Sequence, residues 1–521
     1  MNSLIFAIYR FNMKLFSFNP RADLPAALVV FLVALPLCLG IALGSGAPLL
    51  SGLVAGVVGG VVVGLLSKSP LSVSGPAAGL TTVVFSAILE LGAFELFLVA
   101  VVLAGAMQVV LGLLRLGVVG HYVPNTVIKG MMAAIGLILI LKQIPHLVGY
   151  DADFFGDEGF DQPGPENTFS SMLHALGAFS PGATLVGIAS LLWLQVADAT
   201  GYSGTALGKV LPSALIAVAG GSLLAGALPD LLGADWSVSA VHRVQLPSIG
   251  SSWFAPNWSA LNQPAVWSIA LTLAVIASLE SLLSIEAADR IDPLKRVTPT
   301  NRELMAQGVG NMASGLLGGL PVTSVVVRTS VNAQAGAQSR WSAVSHGVIL
   351  ALSVLLLTPV LNQIPLSTLA AVLITTGYKL THPTMVVLPL VRQGVMQWIP
   401  FAVTVLAILL TDLLKGISVG LLVATVFIAF NDFKSTVSLT HIGTNYILQL
   451  RRNVSFLNKG KLKESLEKLP KGCKLLVDFT QADFVDPDIL EVVQDFATHS
   501  ALLGIEVTVR RSPHQDYLSN F

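Results

Sequence analysis

The chain has 521 residues, of which 54% are apolar and 11% charged, and its mean hydropathy is +0.77; soluble domains usually carry about 25% charged residues. Lys plus Arg equals Asp plus Glu at 29 each, so composition gives no electrostatic basis for binding nucleic acid. Two cysteines, Cys38 and Cys473, make neither a disulfide framework nor a cysteine metal site. No nucleotide-binding loop, nucleophile triad or metal-ligand cluster is legible, which argues against an enzyme and calls for no cofactor.

Residues 1–20 are amphiphilic, with Arg10 and Lys14 among Leu4, Ile5, Phe11, Leu15 and Phe16. They lack an uninterrupted apolar core and a small-residue cleavage site, so they read as a helix lying on the membrane surface and not as a cleaved signal. Residues 21–435 repeat apolar stretches near the length needed to cross about 30 Å of hydrocarbon. These read as roughly 12 to 14 spans, centred near Val33, Val57, Thr82, Leu103, Ile135, Leu191, Ala219, Leu273, Ala313, Val327, Leu352, Leu373, Val405 and Val423.

Short-loop cations orient the spans. Arg10, Lys14 and Arg21 before the first span, and Arg290, Lys295, Arg296 and Arg302 after the span at Leu273, mark the cytoplasmic face. Tyr150–Glu166 is acidic with no Lys or Arg and suits the opposite face. Fourteen spans put both termini in the cytoplasm of a multi-pass protein in the cell's inner (plasma) membrane.

Charge returns in the tail. His441–Phe521 hold 10 basic and 10 acidic residues, leaving 38 of the 58 charges for the first 440 positions. Residues 436–521 therefore read as a soluble α/β module, with strands over Tyr446–Leu450, Lys474–Phe479 and Glu506–Arg510 and helices over Lys461–Leu469 and Ile489–Thr498.

Two spans are interrupted. Ser72–Thr82 contains Ser74-Gly75-Pro76, and Gly318–Thr329 contains Leu320-Pro321-Val322. Each reads as extended backbone that turns helical inside the membrane, because proline suits a first helical turn and disrupts later ones. Pro76 lies 53 positions after Asp23, and Pro321 lies 56 after Ala265, which marks two related halves. Seven spans per half would insert the second half upside down. Broken helices at matching positions point to a mid-membrane substrate site. Their N-termini each carry roughly +0.5 of an elementary charge and free N–H groups, which favours an anion. Ordinary Gly/Pro kinks are the alternative.

Glu280 lies inside the span Val275–Ser284. A charge there costs about 2.5–3.5 kcal/mol on insertion scales and marks a candidate functional site. With Ser284 on the same helical face, it offers a seat for Na⁺ or, as a carboxylate, for a proton. Arg328, placed about two turns into the second half-helix, is a source of positive charge for the site, a partner for Glu280, or a structural ion pair. His121 and Lys129 read as membrane-surface anchors.

Several segments together resemble the SulP family of anion transporters. They are Asp23-Leu24-Pro25-Ala26-Ala27 leading to Ala34-Leu35-Pro36, the Ser74-Gly75-Pro76 turn, Pro321–Ser324, Arg328–Gly336, and the tail. The resemblance implies a polytopic helical membrane protein of seven plus seven spans in inverted repeats. It also implies a core domain moving against a gate domain, a homodimer, and a C-terminal STAS-like domain. By position it puts the anion at Pro76, Ala77 and Ala78 and at Ser324, Val325 and Val326, lined by Leu35 and Cys38, with Arg328 behind. Glu280 and Ser284 fall at the coupling-ion position. Sodium-coupled bicarbonate members carry Asp there, and Glu is similar to what proton-coupled members carry. Related stand-alone modules have a phosphorylatable Ser after the Asp of the second strand's turn, where this chain has Pro487 after Asp486. The tail also stops soon after Arg511, short of a full module.

The expected function is secondary active symport of a small inorganic anion, bicarbonate ahead of sulfate, coupled to Na⁺ or H⁺ by an elevator-like motion. The alternatives are a nucleobase or dicarboxylate carrier of the same general fold, an anion exchanger, and a sensor acting through the tail.

Overall fold

In the computed structural model, residues 18–153, 160, 167–205, 207–208, 210–246, 254–382, 388, 392, 394–443, 445–455, 458–500 and 504–510 are described. Residues 1–17 of the amphiphilic N-terminal segment, most of the acidic stretch after Asp153, and the end of the tail lie outside them. The chain divides into two compact units, Met1–Leu421 and Leu422–Phe521.

The first unit opens with α1 (Pro20–Gly44) and α2 (Leu49–Leu66). Strand β1 (Ser74–Pro76) then leads through a 3₁₀ turn at Ala78–Leu80 into α3 (Thr81–Leu91). The first half continues with α4 (Phe94–Leu113), α5 (Asn125–Leu147), a short α6 (Thr168–Gly177), α7 (Pro181–Ala199) and α8 (Ser213–Leu232). The second half repeats the pattern with α9 (Pro264–Ile291), α10 (Thr300–Leu316), β2 (Val322–Ser324) and α11 (Val326–Gln334). It ends with α12 (Trp341–Leu356), α13 (Leu366–Thr381), α14 (Val395–Leu410) and α15 (Leu413–Thr436), the last of which runs on past Leu421 into the second unit. Each of the fourteen centres read from hydropathy falls inside one of these helices. Among the described residues, seven helices, α1, α2, α4, α5 and α7–α9, are long and apolar enough to cross a membrane.

Helix packing sorts the unit into the core and gate groups of this fold. In the core, α4 packs on α10 and α9, α1 on α2 and α12, and α12 on α2; in the gate, α5 packs on α13 and α14, and α7 on α8 and α13. Small residues set the closest approaches, as expected where lipid removes a hydrophobic drive between helices. A β-carbon on Gly105 would lie 2.5 Å from the carbonyl oxygen of Gly308, and one on Gly136 2.7 Å from that of Gly377.

Two devices fix the chain around the interrupted spans. Asp23 is buried and accepts from the backbone N–H groups of Gln338 (2.9 Å) and Ser339 (3.0 Å), from Ser339 Oγ (2.6 Å) and from Asn19 N–H (3.0 Å). It therefore ties the start of α1 to the turn between α11 and α12. In α2 the residues Gly59–Val63 form a π turn, a feature that recurs at functional sites. A side chain on Gly59 would strike the Ser74 carbonyl at 2.4 Å, so β1 lies directly on that turn.

The acidic stretch is paired where it is described. Asp151 accepts from Nδ1 of His146 (2.5 Å) and Nδ1 of His242 (2.6 Å), and Asp153 accepts from Lys142 Nζ (3.1 Å). Burial alone would raise the Asp151 carboxyl, but the bonds and charges of the two imidazoles outweigh it and hold the group below its ordinary range. His121 binds Glu286 through Nδ1 at 2.8 Å.

In the second unit β3 (Val437–Ile442), β4 (Asn445–Val454), β5 (Lys474–Val485) and β6 (Glu506–Arg510) form one sheet in the order β3-β4-β5-β6. The first pair is antiparallel and the other two are parallel. Helices α16 (Lys459–Glu467) and α17 (Pro487–His499) connect the parallel strands. Leu448, Leu450, Val477 and Phe479 meet Leu462, Ile489 and Val493 in its core. The architecture fits a STAS domain. Strand β3, Val437–Ile442, is absent from the sequence reading. Asp486 caps α17 by accepting from Asp488 N–H (3.0 Å), with Pro487 at the first helical position.

Candidate functional site

The two interrupted segments meet. Strands β1 and β2 pair antiparallel, with Ser74 opposite Ser324, Gly75 opposite Thr323 and Pro76 opposite Val322. Because the pair is antiparallel, α3 departs from one end of the ladder and α11 from the other, and both positive helix ends are aimed back at it. Two bonds extend the ladder on the β1 side: Val325 N–H donates to Val73 O (3.1 Å), and Val73 N–H donates to Thr329 Oγ1 (3.1 Å).

A three-residue ladder at this depth needs its remaining polar groups satisfied by protein. Helix α10 does much of that. Asn311 acts as an extra strand partner for Val322, accepting from its N–H (2.6 Å) and donating to its carbonyl (2.9 Å). Gln307 Nε2 donates to Ser74 Oγ (2.7 Å) and to Glu303 Oε1 (2.8 Å), while Ser67 Oγ donates to the other Glu303 oxygen. Ser72 Oγ lies 2.6 Å from Ser324 Oγ. Directly opposed residues share a face, so Ser74 and Ser324 occupy one face of the ladder and Gly75 with Thr323 the other.

The Gly75 face carries the cation. Arg328 is fully buried. Its Nη2 donates to Cys38 Sγ (3.4 Å) and, at 3.5 Å, to the Pro76 carbonyl. A β-carbon on Gly75 would lie 2.0 Å from Arg328 Nη1, so the missing side chain is what admits the guanidinium. Arg328 Nε and Nη1 and Thr323 Oγ1 have no hydrogen-bond partner among the described residues. A buried polar group left so costs about 1–3 kcal/mol, more if charged.

The structure brings several of the residues read from the sequence to the ladder. Pro76, Ala77 and Ala78 lead into the first helix start; Ser324, Val325 and Val326 lead into the second. Leu35 and Cys38 are buried one turn apart on α1. Arg328 lies in the first turn of α11 and not two turns in, because β2 keeps residues up to Ser324 extended and the helix begins only at Val326. Glu280 is buried, with Oε1 only 3.2 Å from where a Gly79 β-carbon would be, so it abuts the start of the first half-helix. Ser284 is buried one turn along α9. The contact from α9 to the second strand comes instead from Ser281, whose Oγ accepts from Ser324 N–H (3.3 Å). Gln307 and Asn311 were missed as site supports; this polar pair, one turn apart inside a span, was the available signal.

Opposed half-helices closing on a buried ladder, inside a body of bilayer-length helices, are the architecture of a membrane transporter. The chain belongs to the sulfate permease family, which matches residues 21–392. It is 31% identical over 408 residues to YvdB of Bacillus subtilis, named as a candidate sulfate transporter, covering 78% of this chain and 73% of that protein. It is 26% identical over 426 residues to the bicarbonate transporter BicA of Picosynechococcus, covering 78% and 70%. The structure of the murine anion transporter Slc26a9 in its inward-facing state aligns with a TM-score of 0.67 at 15% identity, covering 100% of this chain and 90% of that one. At that identity the likeness is one of fold.

Proposed function

We propose that the chain is a secondary active carrier of a small inorganic oxyanion, bicarbonate or sulfate, driven by Na⁺ or H⁺. One observation carries this: two helix N-termini and the Arg328 guanidinium meet at a buried ladder. The relatives named for bicarbonate and for sulfate support an oxyanion. Glu280 beside Gly79, with Ser284 one turn on, is the coupling-ion position. The core group of helices carries the site and moves against the gate group in an elevator-like step.

A cavity of about 440 Å³ opens between α1 and α11 of the core and α7, α8 and α13 of the gate, and Arg21, Gln334 and Thr376 contribute to its wall. It contains no ladder residue. We take it as the approach path and place the anion at the ladder, where both helix starts and Arg328 converge; Lys379 in the cavity pairs with Asp198 at 2.7 Å. The cations at Arg21, Arg290, Lys295, Arg296 and Arg302 orient this end towards the cytoplasm, where both termini of a plasma-membrane homodimer are placed.

Proteoliposome uptake of labelled bicarbonate, sulfate, chloride and dicarboxylates under imposed Na⁺ or H⁺ gradients tests the proposal. Uptake of bicarbonate or sulfate that rises with one cation gradient is expected. Uptake of none of the inorganic anions, or of dicarboxylates alone, would refute it.

A further inference from the structure

The Gly75 face of the ladder holds more than the arginine. Thr323 stands opposite Gly75 in the antiparallel register. Opposed β-carbons lie about 4.5–5.5 Å apart on one face of such a pair, and Arg328 Nη1 occupies the place that a Gly75 β-carbon would crowd. The guanidinium is therefore on the same face of the ladder as the Thr323 side chain. Both residues are fully buried, and Nη1 and Oγ1 are each without a hydrogen-bond partner among the described residues. An arginine donates only, and a threonine hydroxyl has one proton to give. Two unspent donors on one face of the ladder, with no side chain on Gly75 between them, call for an acceptor that the described residues do not supply.

We propose that Thr323 is an anion ligand, its hydroxyl and Arg328 Nη1 together donating to one small oxyanion on this face of the ladder. This rests on the transport reading above and adds a side-chain donor to a site otherwise built from helix ends and one cation. Two donors, one from the second strand and one from the helix that follows it, suit an anion that offers more than one oxygen, as bicarbonate and sulfate do.

Thr323→Val removes the hydroxyl and keeps the shape. The full-length variant should unfold at the same temperature as the wild type or higher without anion, since a hydroxyl with no protein partner contributes nothing to folding. Its KM for bicarbonate or sulfate should rise about ten- to a hundredfold. The rise in unfolding temperature that the anion confers on the wild type should disappear, and Thr323→Ser should restore both. A Thr323→Val protein with wild-type KM and wild-type anion stabilisation would overturn the assignment while leaving transport intact. A Thr323→Val protein that melts below the wild type without anion would also overturn it, by showing that the hydroxyl serves the fold. A wild type that neither takes up nor is stabilised by any oxyanion would overturn the transport reading and this assignment with it.

Discussion

Gly75→Ala is expected to lower anion uptake roughly ten- to a hundredfold in protein that still inserts into the membrane. The added methyl would lie 2.0 Å from Arg328 Nη1 and 2.9 Å from its central carbon, Cζ. Contacts that short are not tolerated, and overpacking a filled interior costs about 1–3 kcal/mol. Because Arg328 has no exposed surface, its guanidinium can yield only by leaving the ladder and the Cys38 and Pro76 contacts. Substrate affinity should therefore fall further than stability does. Gly220→Ala on α8 is the matched control, since a β-carbon there meets nothing within 4 Å, and it should transport as the wild type does. Initial uptake rates for both variants, normalised to protein reconstituted, check this. Equal rates for Gly75→Ala and wild type would detach Arg328 from the anion.

Glu280→Gln should abolish accumulation against a gradient while leaving anion–anion exchange in the same vesicles. The amide keeps the size of the carboxyl beside Gly79 and removes the negative charge that a coupling cation or proton requires. The side chain lies at the start of the first half-helix, and Ser281 next to it holds Ser324 N–H of the second strand. Uptake driven by the imposed gradient is expected to fall at least about tenfold, the least effect of losing one ion's attraction in a buried site. Undiminished gradient-driven uptake would remove Glu280 from coupling.

How much of this was legible beforehand follows from which interactions are local. Hydropathy is a local property, so every span centre from Val33 to Val423 lands in a helix. Proline placement is local too: Pro76 and Pro321 mark extended backbone that leads into a helix, but each lies in or just before a strand and not in a first helical turn, because the pairing of the two strands delays both helices. Pairing is not local. Nothing near Thr323 in the chain says that it will stand across from Gly75, and nothing near Arg328 says that its charge will fill the space that glycine leaves. Its place in the helix was misjudged for the same reason: only the pairing of Val322–Ser324 with β1 postpones the start of α11 to Val326. Asp23 shows the converse. It stood out as part of a family pattern, and its role is to cap and tie the turn at Gln338 and Ser339, which no reading of its neighbours discloses.

The most direct test is to find the anion itself. Anomalous diffraction from crystals grown with selenate, a heavy counterpart of sulfate, should place selenium between the starts of α3 and α11, within hydrogen-bonding reach of their first N–H groups and on the Gly75 side of the strands. Selenium confined to the cavity beside Arg21 and Lys379, with the strands bare at saturating selenate, would show that convergent helix ends do not hold the cargo.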